Sequence, residues 1–195
     1  MFGVRLLGRE HVWARWLEAC AGAFLFGALT ALAARVVVPI PGTPVPLTLQ
    51  VLAVLLAGLV LGGERGALSQ LLYLGAGLMG LPVFASGVGP ATLFGPTGGY
   101  LLAFPVAAFV AGRLSHWLNH LPGRLLATLS GVAVIYAGGM AWLALWLGMA
   151  EGSWGVATLA RAWRLGVLPF ILVDLAKGVL AALVAPRTRG EPKPV

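Results

Sequence analysis

Asp174 and Lys177, in the stretch PFILVDLAKG, are the residues of this chain whose types and spacing most readily do chemistry. Three positions apart, they share one face of a helix. They also interrupt an otherwise apolar run. An acidic side chain near the centre of a bilayer costs about 2.5–3.5 kcal/mol on insertion scales, which selection accepts mainly for function or for a compensating partner. A carboxylate accepts hydrogen bonds and an ammonium donates them, so the pair can bind a polar ligand. Its other use is to neutralise itself within the helix, a role two leucines would fill with little loss.

Covalent chemistry is harder to assemble. Aspartyl chemistry needs two carboxylates sharing a proton, and Asp174 is the only aspartate in the chain. A Ser/His mechanism needs a histidine inside the membrane, whereas His11, His116 and His120 fall at the ends of the apolar runs. His116 and His120 in HWLNH have the spacing of a zinc helix, but the glutamate of HExxH is missing and no third ligand is evident, so they read as interfacial residues. GAGLMG, Gly75 to Gly80, matches GxGxxG without a preceding strand or a following acidic residue; its glycines suit close helix packing. Cys20 is the only cysteine and reads as a small apolar helix residue. No catalytic residue and no metal or other cofactor is assigned.

The elements that must position Asp174 and Lys177 follow from composition. Of 195 residues, 59% are hydrophobic and only 10% charged, against about 25% charged in soluble domains. A soluble globule, a disordered chain and a nucleic-acid binder are thereby set aside despite the net charge of +7. Six apolar stretches suit membrane helices: 16–38, 47–61, 66–80, 99–114, 125–147 and 169–184, the second and third being short for a full span. Between the last two, SWGVATLARAWRLG has helical spacing broken by Arg161 and Arg164, the pattern of a helix lying in the interface. The N-terminal fifteen residues carry no cleavage signature and are not read as a removable signal peptide.

The expected architecture is an all-α integral membrane protein, one domain over 1–195. It comprises a cytoplasmic segment 1–15, a bundle of six transmembrane helices over 16–185 and a cytoplasmic tail 186–195. Orientation follows from the placement of positive charge. Arg5, Arg9, Arg15, Arg65, Arg113, Arg124, Arg187, Arg189 and Lys193 fall at the termini or in the second and fourth loops, the cytoplasmic positions. The first loop, PIPGTPVP, and the third, LPVFASGVGPATLFGPTG, carry no charge. Their prolines restrict them to extended backbone. Irregular apolar backbone at this depth either packs on itself or lines a cavity open to the outside. Arg35, near the outer end of the first span, suits snorkelling to the interface, with an anionic ligand as its other use. Ala19, Ala23, Gly27 and Ala31 form a small-residue stripe that admits close contact with another span of the chain or with another subunit.

From about Phe24 to Ala185 the chain resembles the BioY family, the biotin-binding S components of energy-coupling-factor (ECF) vitamin transporters. The likeness is carried by IPGTPVPLTLQVLAVLLAGLVLGGERGALSQLLYLGAGLMGLPVF, by GPTGGYLLAF, and by VLPF followed by Asp174 and Lys177. Two departures stand out. Leu172 and Val173 occupy the place of a common Pro-Gly pair, and Ser86 is the nearest equivalent of a polar residue that follows Val-Phe in the third loop.

The resemblance implies six helices around a biotin pocket near the outer face. It also implies that the stripe on the first helix docks on a membrane coupling protein, itself joined to two ATPases that supply the energy. No GxxxxGK[ST] motif occurs in the chain, so ATP hydrolysis belongs to those partners. The ligand inventory then suggests roles. Asp174 accepts from a ureido N–H, Lys177 donates to the ureido carbonyl or holds Asp174, and Ser86, Thr97 and Tyr100 offer neutral polar contacts. Phe84, Phe94 and Phe170 sandwich the rings. An S component for another vitamin, a solitary biotin transporter and a membrane enzyme acting on lipid are the other readings. The last would need a catalytic pair that the chain does not supply.

Overall fold

The computed structural model describes residues 4–186, with side chains from Trp16 onward. Residues 1–3 and 187–195, and with them Arg187, Arg189 and Lys193 of the expected tail, lie outside the described residues. The chain is mostly helical. The described elements are helix α1 (Val4–Ala33), the two-residue strands β1 (Val37–Val38) and β2 (Leu47–Thr48), α2 (Gln50–Leu61), α3 (Gly63–Leu78), a single turn α4 (Ala91–Phe94), α5 (Gly98–Trp117), α6 (Leu121–Glu151), α7 (Val156–Gly166) and α8 (Ile171–Val184).

Three of the described helices are long and apolar enough to cross a membrane, with windows at Trp16–Ala33, Gly98–Trp117 and Leu121–Glu151. α7 and α8 meet at a 55° bend and count as a fourth span if taken together. α2 is apolar but only 12 residues long, about 18 Å at 1.5 Å per residue. Side chains such as Leu17, Phe24, Leu25 and Leu32 on α1, and Leu172 and Leu183 on α8, are exposed, as suits surfaces solvated by hydrocarbon. The chain is thus a multi-pass helical membrane protein.

Small residues set the packing. α2 and α3 are joined at Gly62, whose φ of 84° lies in the left-handed region that favours glycine. Gly58, Gly66 and Gly112 let the backbones of α2, α3 and α5 converge: a Cβ on Gly58 would stand 2.4 Å from the Ala108 carbonyl oxygen, and one on Gly112 2.5 Å from the Gly63 nitrogen. α5 and α6 run together along much of their length, and α8 closes against α2 and α6.

The small-residue stripe of α1 turns inward. Ala23 is fully buried, and a Cβ on Gly27 would meet the Ser69 carbonyl oxygen of α3 at 2.9 Å. Of the expected partner interface Ala19, Ala23, Gly27 and Ala31, the two central residues are therefore covered within the chain, while Ala19 and Ala31 are half-buried. At Ala23 and Gly27 the stripe is covered by this chain, because a helix as short and glycine-rich as α3 approaches closely only where its neighbour lacks side chains. In GAGLMG, Gly77 likewise admits the ring of Phe84, 2.1 Å from where a Cβ would stand.

Candidate ligand-binding site

The first two turns of α8 present Asp174 and Lys177 to the interior, 4% and 7% exposed. A carboxylate there lies at the positive end of the helix dipole. The bend preceding α8 makes this geometry. Pro169 has no N–H to continue a helix, and the backbone turns through Val167–Phe170 so that Gly166 and Phe170 both reach one cleft.

The cleft holds about 590 Å³ of empty space counted to its open mouth. Its walls come from the starts of several elements: Thr48 of β2, Gln50 and Val51 of α2, Tyr100, Leu101 and Phe104 of α5, and Asp174 and Lys177 of α8. Ile135 and Tyr136 of α6 add to them, and Val45, Pro46, Ala85 and Ser86 come from the two proline-rich loops. These loops thus line a cavity; they do not merely pack on each other.

The polar groups are tied in a definite order. Lys177 Nζ donates to Asp174 Oδ1 at 2.6 Å and to the Thr48 carbonyl oxygen at 2.7 Å. The Tyr136 hydroxyl donates to Asp174 Oδ2 at 2.8 Å. Three elements therefore converge on the pair, which is more than self-neutralisation along one helix requires. One Lys177 N–H and a lone pair on each Asp174 oxygen remain for another molecule.

Around this centre, Gln50 Nε2 donates to the Tyr73 hydroxyl at 2.7 Å and the Thr48 hydroxyl donates to Gln50 Oε1 at 3.1 Å. The Tyr100 hydroxyl donates to the Gly166 carbonyl oxygen at 2.8 Å, and a Cβ on Gly166 would lie 2.1 Å from that hydroxyl. The first loop folds as a hairpin with Val37 opposite Thr48 and Val38 opposite Leu47. It is latched to α7 by the Thr43 hydroxyl donating to the Leu165 carbonyl oxygen at 2.7 Å.

Of the residues singled out by sequence, Asp174, Lys177, Ser86, Thr97, Tyr100 and Phe170 come together in the cleft. Phe84 and Phe94 do not. Phe84 is buried one layer behind, its ring edge-on to Tyr73 at 5.5 Å, and Tyr73 in turn packs on Phe104. Phe94 is 73% exposed on the short turn α4, which faces its side chain outward. The aromatic wall is made instead by Phe104, Tyr100 and Phe170. Sequence reading missed Tyr136, Gln50 and Phe104. Gln50 and Tyr136 each put a polar group in an apolar run, a signal that could have flagged them. His120 caps α6, its Nδ1 accepting from the Gly123 N–H at 2.9 Å.

A helical membrane protein with a partly apolar, partly charged cleft between the starts of its helices is built to bind a small polar molecule. Residues 10–192 match the model of the BioY family, and the chain belongs to that family. Among its relatives are a probable biotin transporter from Pyrococcus horikoshii, 47% identical over 85% of this chain and 93% of the relative, and a biotin transporter from Thermotoga maritima, 39% identical over 85% and 92%. A crystal structure of the S-component for biotin from an ECF-type ABC transporter superposes with a TM-score of 0.76 at 26% identity, covering 91% of this chain and 94% of that one.

Proposed function

We propose that this chain is the biotin-binding subunit of an ECF-type importer. The observation that carries the reading is the Asp174–Lys177 pair, held by Tyr136 and Thr48 in an aromatic-walled cleft. Biotin offers two ureido N–H donors beside a carbonyl acceptor, an apolar sulfur ring and a tail ending in a carboxylate. Asp174 accepts from a ureido N–H and Lys177 donates to the carbonyl. Phe104, Tyr100 and Phe170 cover the rings, while Ser86 and Thr97, which also line the cleft, take the tail. The chain performs no covalent chemistry and carries no cofactor. A membrane coupling protein and two ATPases supply the energy.

Six membrane crossings by α1, α2, α3, α5, α6 and α8, with α7 in the interface, leave both termini in the cytoplasm of a prokaryotic cell. The placement of charge supports this orientation. Arg113 pairs with Glu64 beside the α2–α3 turn, and Arg124 of α6 donates to the Ala185 carbonyl oxygen at the end of α8 at 2.5 Å. These basic residues gather at helix ends opposite those that line the cleft, so the cleft opens outward.

Isothermal titration of the purified chain with biotin tests the ligand, with saturable one-to-one binding expected. Equal or better binding of a different vitamin would overturn the assignment. Co-purification with a coupling protein and ATPases tests the assembly separately.

A further inference from the structure

We propose that Tyr136 is a positioning residue for ligand recognition. Its hydroxyl holds Asp174 in the orientation in which Asp174 and Lys177 present an acceptor beside a donor to the cleft. This rests on the reading above, that the cleft binds biotin through its ureido ring.

In a five-membered cyclic urea each N–H lies cis to the carbonyl, so one edge of the ring offers a donor and an acceptor side by side. The complementary surface is an acceptor next to a donor at fixed separation. Asp174 and Lys177 supply both groups, but a shared helical face does not fix their relative orientation. The terminal torsion of an aspartate is broad and roughly two-fold. A single hydrogen bond to Oδ1 leaves the carboxylate plane free to swing about that contact.

Tyr136 removes the freedom. It bonds the other oxygen, Oδ2, from a different helix, 38 positions away in sequence. Thr48 does the same for the ammonium from a third element. With Lys177 on one oxygen and Tyr136 on the other, the remaining lone pairs and the last ammonium proton have defined directions. The Thr48 contact is through backbone and cannot be removed by substitution, so Tyr136 is the testable tether. A phenylalanine there would keep the ring and its packing, losing only the hydroxyl.

A merely structural tyrosine, whose hydroxyl needs the carboxylate as a buried partner, would behave differently. Its loss would lower thermal stability and leave the biotin affinity of the folded protein unchanged, whereas loss of a positioning residue lowers affinity through Asp174. The test is a double-mutant cycle read by calorimetric titration of the full-length protein with biotin, each variant checked for a monodisperse state. Tyr136→Phe is expected to weaken binding about tenfold, the factor corresponding to ~1.4 kcal/mol. In an Asp174→Asn background the same change should alter affinity by less than about twofold, because the tethered charge is already gone.

Asp174→Glu provides a second background for the case in which the Asn variant binds too weakly to titrate. Its longer side chain displaces the carboxylate from Tyr136, and Tyr136→Phe should again have little effect. Unchanged affinity in Tyr136→Phe alone, or equal losses in the parent and Asp174-substituted backgrounds, would overturn the proposal. A parent chain that binds no biotin would overturn the underlying reading, and the inference with it.

Discussion

Asp174 has two jobs that substitution can separate. It is the proposed ligand acceptor, and it is the counter-charge of a lysine only 7% exposed. Asp174→Asn keeps the shape but removes the charge, so biotin affinity should fall by about 1.5–3 kcal/mol, measured by titration. The structure adds a second consequence. The variant leaves the buried Lys177 ammonium with neutral partners only, and breaking a buried ion pair costs on the order of 3–5 kcal/mol. The melting temperature of the ligand-free protein should therefore drop as well. Replacing both members, Asp174→Leu with Lys177→Met, removes both charges. That double variant is expected to regain most of the lost thermal stability while binding no biotin. Recovery of binding in it would show that the pair does not contact the ligand.

The hairpin of the first loop and helix α1 make two predictions at the level of elements. Thr43 joins the hairpin to α7 through one hydroxyl, a bond whose net contribution is about 1 kcal/mol. Thr43→Val keeps the side-chain volume and loses that latch. Biotin dissociation should accelerate about fivefold with the association rate little changed, which stopped-flow displacement would measure. Equal dissociation rates would mean that the hairpin is held by its strand pairing and by Lys177 alone. On α1, Gly27→Trp pushes a large side chain into Ser69 and Leu72 of α3. Because van der Waals packing is a main attraction between helices in lipid, the variant should aggregate and lose biotin binding together. Leu25→Trp, at a position already 64% exposed, should stay monodisperse and bind normally. A well-behaved Gly27→Trp protein that lost only its partners would return the stripe to the surface.

For the whole molecule, the arrangement of charge and cleft predicts which end meets which solution. In a Cys20→Ala background, a cysteine placed at Ala91, exposed in the third loop, should react in intact cells with a membrane-impermeant maleimide. One placed at Gly190, in the expected cytoplasmic tail, should react only after the membrane is opened. The reverse pattern would invert the orientation and place the cleft on the inside.

The membrane class, the succession of apolar segments and the pairing of Asp174 with Lys177 were all legible in the chain itself. Each depends on composition or on short helical spacing, which act locally. The proline-rich loops were recognisable as cavity candidates because irregular apolar backbone has few places to go in a bilayer. What could not be read were contacts between distant positions: Tyr136 with Asp174, Thr48 with Lys177, and Thr43 with Leu165. The inward face of the Ala23–Gly27 stripe and the removal of Phe84 and Phe94 from the cleft belong to the same kind. A small-residue stripe states only that something packs closely, and an aromatic residue in a loop only that it can pack. The partner in each case is chosen by the bend before α8, the close approach of α3 to α1 and the fold of the hairpin, because groups 38 or 129 positions apart meet only once the helices have assembled.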